Sequence, residues 1–212
     1  MGSDFSPQDA RCPTKCEKGP SDFNIPQRLV ASIIYTLPFG KGQKFLNHGG
    51  VVNQVVGGWQ LSTITTLQSG GVVNTSSWDS GGTNFLSNAT RLNCVSGVDP
   101  VLPGNNQNGW FNPAAFSNPV AGTFGNCGRN TIRGPWLGNQ DFSVIKIFRT
   151  SERTNLQFRM EMFNAPNHVE LTASGQLSWN NGSSPAPSTT FGRITGVSAP
   201  MRQIQFAMKF NF

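Results

Sequence analysis

The sequence predicts an all-β fold, an antiparallel meander of about five long amphipathic strands with long loops. Three observations predict it. Several segments alternate apolar and polar residues with a period of two, the spacing at which a strand sends successive side chains to opposite faces. The 212 residues include 24 Gly and 14 Pro, and only 12% are charged, about half the usual globular fraction of roughly 25%. No stretch sustains an i, i+3, i+4 apolar pattern, and no run of about 18 apolar residues forms a membrane helix.

Residues 1–25 read as an irregular polar segment and residues 26–212 as one strand-and-loop region. The first strand is Arg28 to Leu37. Leu29, Ala31, Ile33, Tyr35 and Leu37 share one face, and the opposite face is mixed, with Val30 and Ile34 beside Arg28, Ser32 and Thr36. Pro38-Phe39-Gly40-Lys41-Gly42 breaks it. A short helix fits within 43–57, its length limited by Gly49 and Gly50. The second strand is Trp59 to Gln68, with Trp59, Leu61, Thr63, Thr65 and Leu67 on one face. Trp59 stands where an interfacial anchor would, although an ordinary core Trp is the competing reading.

Residues 70–136, rich in Gly, Asn, Pro and Ser, are too long for an ordinary connection. A functional loop, a small loop domain and missed strands are the open readings. The third strand is Asn139 to Phe148. Phe142, Val144 and Phe148 share a face with Lys146, which breaks the alternation either at a bulge or at the end of a hydrocarbon zone. Thr150-Ser151-Glu152-Arg153 turns the chain into the fourth strand, Asn155 to Phe163. There Leu156, Phe158, Met160 and Met162 oppose Asn155, Gln157, Arg159 and Glu161. Residues 164–200 read as loop again. The last strand, RQIQFAMKFNF, has Ile204, Phe206, Met208, Phe210 and Phe212 on one side and Gln203, Gln205, Ala207, Lys209 and Asn211 on the other.

The net charge of +6 is spread through strands and turns. A nucleic-acid surface needs clustered Lys/Arg with interleaved aromatics, and there is none. Four cysteines, Cys12, Cys16, Cys94 and Cys127, suit an oxidising compartment. Disulfides are the leading reading, ahead of free thiols and a metal site; only two histidines, His48 and His168, are available as further ligands. Catalysis is not expected. There is no GxSxG, no HExxH and no carboxylate pair, and the Gly-rich stretches lack a phosphate-loop Lys. His168, near Glu161 and Glu170 in MEMFNAPNHVE, reads as a loop histidine, as does His48. No cofactor is expected. The sequons NTS, NAT and NGS at 74–76, 88–90 and 181–183 read as chance.

Alternation alone also fits a soluble sheet. Three features favour part of a transmembrane β-barrel instead. The wet face carries Arg159, Glu161 and Lys209 among amides, as a water-filled lumen would. Short and very long connections alternate. The last strand reaches the last residue. MGSDFSPQDAR has no apolar leader core, so the chain is expected to be a mature form or the C-terminal part of something longer.

Six pieces in order carry a resemblance: SDFNIPQRLVASIIYTLPFGKG, VVGGWQLSTITTLQSG, WFNPAAF, GTFGNCGRNTIRGP, DFSVIKIFRTSERTNLQFRMEMFNAPNH, and FGRITG with RQIQFAMKFNF. Over residues 20–212 the chain resembles the C-terminal barrel segment of TonB-dependent outer-membrane receptors, nearest the Oar-like branch that carries a carboxypeptidase-regulatory-like domain. The resemblance implies a 22-stranded barrel with an N-terminal plug and a TonB-binding motif, neither of which this sequence contains. It implies active ligand uptake and, as partners, outer-membrane lipid, the rest of the barrel and plug, and TonB. Self-association is a further expectation for exposed strand edges.

By the same resemblance Arg159, Glu161 and Lys209 face the lumen, Phe206, Phe210 and Phe212 form a C-terminal assembly signal, and a Cys94–Cys127 staple lies outside the cell. The connections at 38–57 and 150–154 fall in the periplasm and those at 70–136 and 164–200 outside. Five strands cannot close a barrel, so the isolated chain is not expected to transport alone. The alternative is a free-standing secreted β protein that self-assembles or binds glycans by stacking on Trp78, Trp110, Trp136 and Trp179. A hydrolase is a third reading.

Overall fold

The computed structural model describes residues 8–9, 11–12, 15–47, 49–78, 89–151, 153–173, 176–179 and 186–212. His48, Asp79, Glu152 and the NGS sequon lie outside the described residues, as does the side chain of Trp78. The chain forms two compact units.

One unit, spanning Arg28–Gln68, Leu137–Glu170 and Ser198–Phe212, is a five-stranded antiparallel sheet. Its strands are β1 (Arg28–Thr36), β2 (Trp59–Gln68), β3 (Leu137–Arg149), β4 (Asn155–Phe163) and β5 (Gln203–Asn211). They pair in chain order, each with its sequence neighbour, as a meander requires. β2 and β4 have the bounds read from the sequence. β3 runs further at both ends, and β1 and β5 end one residue earlier.

The register turns the alternation of single strands into two continuous faces. Ile33, Thr63, Phe142, Met162 and Ile204 form one row across the sheet, and Tyr35, Leu61, Val144, Met160 and Phe206 form the next on the same face. The opposite face holds rows such as Ile34, Ser62, Ser143, Glu161 and Gln205. Much of the apolar face is exposed among the described residues. β1 is exposed along its whole length, and Phe206 and Met208 are 65% and 69% exposed. A sheet in water buries its apolar face, so an apolar face of this extent marks contact with another apolar phase.

Lys146 is the one buried residue of the five strands. It lies on the apolar face, paired without interruption to Trp59 on β2 and Phe158 on β4, so no bulge explains the break in alternation. The β1–β2 connection explains it. A short helix, α1 (Gly50–Val56), ends over this corner of the sheet. Lys146 Nζ donates to Val55 O at 3.1 Å and to Gly57 O, and lies 5.0 Å from the ring centres of both Trp59 and Phe148. The last carbonyls of a helix have no partners within it, and an ammonium satisfies them. Trp59 Nε1 donates to the same Val55 O at 2.9 Å. Gly58, at φ +71, turns the chain from α1 into β2, and a Cβ there would run into Ile147 O.

The other unit takes the described residues of Met1–Gln27 together with Ser69–Trp136 and Leu171–Val197. The long stretches read as loop are therefore largely a small loop domain with short strands of its own. Val72–Trp78 pairs antiparallel with Ile132–Arg133 and Ala89–Thr90 and parallel with Gln176–Ser178. The buried core lies here. Leu92, Phe111, Phe116, Trp179, Phe191 and Ile194 are among its members, with Phe191 edge-on to Phe116 and Trp179. Period-two alternation is absent because most of these strands are two or three residues long, and the longest is buried on both faces over residues 73–77. Cys94 and Cys127 are bridged across 33 residues, and Cys12 is bridged to Cys16.

Two outcomes are expected. Replacing Cys94 and Cys127 by Ser releases a 33-residue loop and costs the loop domain about 3–4 kcal/mol, seen as faster protease cleavage within 69–136 and no change in strand content by circular dichroism. Lys146→Ala leaves the carbonyls of Val55 and Gly57 without their cation and costs about 1–3 kcal/mol, read as a lower temperature of gel-mobility shift for the full-length product in detergent.

Candidate functional site

The polar face of the sheet is one candidate surface. Arg159 and Glu161 stand two residues apart on β4 and so share a face. Arg159 Nη1 lies 3.3 Å from Glu161 Oε1, and Gln205 Nε2 on β5 donates to Glu161 Oε2. Both charged side chains remain partly exposed, so this ion pair contributes at most about 1 kcal/mol. Lys209 lies two pairs further along β5, opposite Gln157, and forms no ion pair among the described residues. Arg159 and Glu161 thus come together, and Lys209 stands apart on the same face. Ser62 and Ser143 share a hydrogen bond of 2.6 Å, and Asn211 Nδ2 donates to Asn155 Oδ1 at 2.8 Å. The surface offers amides, hydroxyls and separated charges. Such a surface holds water and polar solutes by many weak contacts.

At one end of the sheet, the turn NAPNH that follows β4 is pinned by buried polar groups. Asn164 and Asn167 adopt positive φ of 49° and 56°, a region Asn tolerates better than most residues. Asn164 N donates to Asp141 Oδ1 at 3.0 Å and Asn164 Nδ2 to His168 O at 2.8 Å. Glu170 is fully buried. Its Oε2 accepts from Gly138 N at 2.9 Å, and its Oε1 lies 3.2 Å from Nδ1 of the exposed His168. Glu161 and His168 make no pair: Glu161 is engaged by Arg159 and Gln205. The anchoring role of Glu170 has no local sequence signal, because its backbone partner is 32 residues away.

The loop domain is the second candidate surface, and the N-terminal segment is built into it. Gln8 Oε1 accepts from Arg91 N at 2.7 Å and Thr90 Oγ1 at 2.9 Å, while its Nε2 donates to Gly125 O at 3.0 Å. Glu17 forms an ion pair with Arg91 at 2.6 Å, with the two side chains only 7% and 8% exposed. Asn130 Nδ2 donates to Pro20 O at 3.0 Å, and Arg133 Nη1 to Asn24 O at 3.2 Å. Gly125, Cys127, Asn130 and Arg133 all belong to GTFGNCGRNTIRGP. That motif therefore helps hold Gln8, Pro20 and Asn24 of the N-terminal segment, a role its composition did not announce. Of the four candidate sugar-stacking tryptophans, three have described side chains. Trp179 is buried in the core, Trp110 packs against it, and Trp136 is exposed.

Residues 1–205 match the family model described as outer membrane beta barrel domain. No curated protein and no solved structure gives a significant match.

The buried pair Arg91–Glu17 supplies a test of the clasp. Removing one partner strands the other charge out of water, so Arg91→Ala is expected to cost about 3–5 kcal/mol. Limited proteolysis read by mass spectrometry is expected to show new cleavage in residues 8–27 of the variant. Arg159→Ala, at an exposed pair, is expected to leave the cleavage pattern unchanged.

Proposed function

Since the chain belongs to the outer membrane beta barrel domain family and is a bacterial outer-membrane protein, we propose that it forms the C-terminal strands of a TonB-dependent receptor of the Oar-like, carboxypeptidase-regulatory-like-domain branch. The whole receptor takes up a bound ligand across the outer membrane, driven through TonB. The role is binding and transport, not catalysis. One observation carries this reading: a five-stranded meander with one largely exposed apolar face, one polar face and two edges, β1 and β5, that have no further strand partner among the described residues. In a bilayer every unpaired backbone group costs several kcal/mol, so β1 and β5 require further strands. A large barrel with a water-filled interior supplies them and gives the polar face, with Arg159, Glu161 and Lys209, a lumen to line.

The connections support the same reading. Those between β1 and β2 and between β3 and β4 leave one end of the sheet and are the shorter ones. Those between β2 and β3 and between β4 and β5 leave the other end and are long. Barrels of this class keep short turns in the periplasm and long loops outside. The disulfide-stapled loop domain is then extracellular, where oxidation is favoured and where ligand is first met. Phe206, Phe210 and Phe212 serve as the recognition signal for barrel assembly.

The reading is tested on the full-length gene product. It is expected to partition with outer membranes, to shift in gel mobility on heating, and to co-purify with TonB through a plug encoded in frame upstream of Met1. A stable closed ring assembled from copies of the 212-residue chain alone, with no plug and no TonB contact, would overturn it.

A further inference from the structure

The connection between β1 and β2 builds a hollow on the apolar face of the sheet. It has a volume of about 500 Å³ and is lined by Phe39, Leu46, Val55, Trp59, Leu61 and Val144 among others, all apolar. Leu61 and Val144 sit in the row that runs from Tyr35 to Phe206, so the hollow opens onto the same face as the exposed Phe206 and Met208. In an outer-membrane barrel with a polar interior, that face meets lipid. Lys146, 5.0 Å from the Trp59 ring of the lining, is buried and donates to Val55 O and Gly57 O. The wall therefore presents no unpaired charge. Val51 and Val52 of α1 are exposed beside it, so apolar surface continues from the hollow onto the helix. The connection carries two further cations, Lys41 and Lys44, both exposed, and residues 38–58 contain no carboxylate. Lys41 is placed by its backbone N, which donates to Asn53 Oδ1 of α1 at 2.6 Å, and Lys44 Nζ lies 5.4 Å from the centre of the Phe45 ring. Phe45 in turn touches Phe39 of the lining.

We propose that this hollow is a specific lipid site. It takes one acyl chain of a glycerophospholipid from the periplasmic leaflet, whose phosphate is met by Lys41 and Lys44. Continuity with the lipid-facing sheet selects a lipid rather than a protein segment, and further barrel strands pair along the edges β1 and β5, away from this face. The two lysines select an anionic headgroup. The site depends on membership of the outer-membrane barrel family and not on TonB-dependent uptake, so it stands or falls separately from the transport reading.

The test uses the full-length product in the outer membrane of cells fed a diazirine-bearing palmitate, which enters their phospholipids. After irradiation, cross-linked peptides are mapped by mass spectrometry. Labelling of residues 38–61 and of the peptide holding Val144 is expected to exceed that of the β5 peptide holding Phe206 and Met208 several-fold. Val144→Trp fills the hollow and is expected to abolish the excess while heat-shifted gel mobility persists. Leu46→Trp, which lies outside the strands, fills it from the connection side should Val144→Trp fail to insert. Lys41→Gln with Lys44→Gln is expected to reduce the excess without abolishing it. Even labelling over the apolar face would mean ordinary boundary lipid and would overturn the proposal. So would an excess that survives both tryptophan variants, or a cross-link from the hollow to a second protein chain.

Discussion

Backbone hydrogen bonding without water is the constraint on which the sheet depends. In hydrocarbon a strand has no solvent to satisfy its N–H and C=O groups, so every strand must have a neighbour on each side. β2, β3 and β4 meet that demand within the chain, and among the described residues β1 and β5 do so on one side only. The meander, the long registers and the unbroken pairing through Lys146 all follow from it. A bulge on the apolar face at Lys146 would have left ladder groups unpaired in the same region. The protein keeps the ladder intact and instead brings a helix end to the cation.

The same constraint separates the two units by their physics. The loop domain is held together as a water-soluble protein is, with a buried core around Leu92, Phe111, Phe116 and Trp179, a disulfide, and a buried ion pair from Glu17 to Arg91. The sheet has no such core. The one buried residue of its five strands is a lysine, and the large apolar side chains of β1 and β5 stay exposed. In water that sheet would leave the apolar side chains of β1 and β5 hydrated. In lipid it needs no second layer, because the bilayer is the layer.

Lys146 shows how a local violation is resolved from a distance in sequence. Its ammonium sits on a face made of Leu, Val, Phe and Met, yet it reaches carbonyls at the end of α1, about 90 residues earlier, as the separations of 91 and 89 residues show. Glu170 does the equivalent at the other end of the sheet, where its carboxylate takes the backbone N–H of Gly138. In both places a charged side chain holds the connection between two strands. Rigid connections of this kind define where the strands begin and end.

The sequence by itself determined the five strands, their alternation, their order and the apolar and polar faces, because period-two patterning is local and survives without tertiary contacts. It also marked the cysteines as bridged and located the short helix within 43–57. The tertiary structure decided what the pattern does not carry. That Glu17, Pro20 and Asn24 are clasped by Arg91, Asn130 and Arg133 depends on contacts across 74 to 110 residues, which no local periodicity encodes. That the described residues of 69–136 and 171–197 share one core depends on strands mostly too short to show alternation. That Lys146 is satisfied, that Glu170 anchors a strand start, and that Trp179 is core rather than surface all depend on which distant backbone or ring stands opposite. Local geometry writes the strands into the sequence. Burial and hydrogen-bond partners over long separations exist only once the chain has folded.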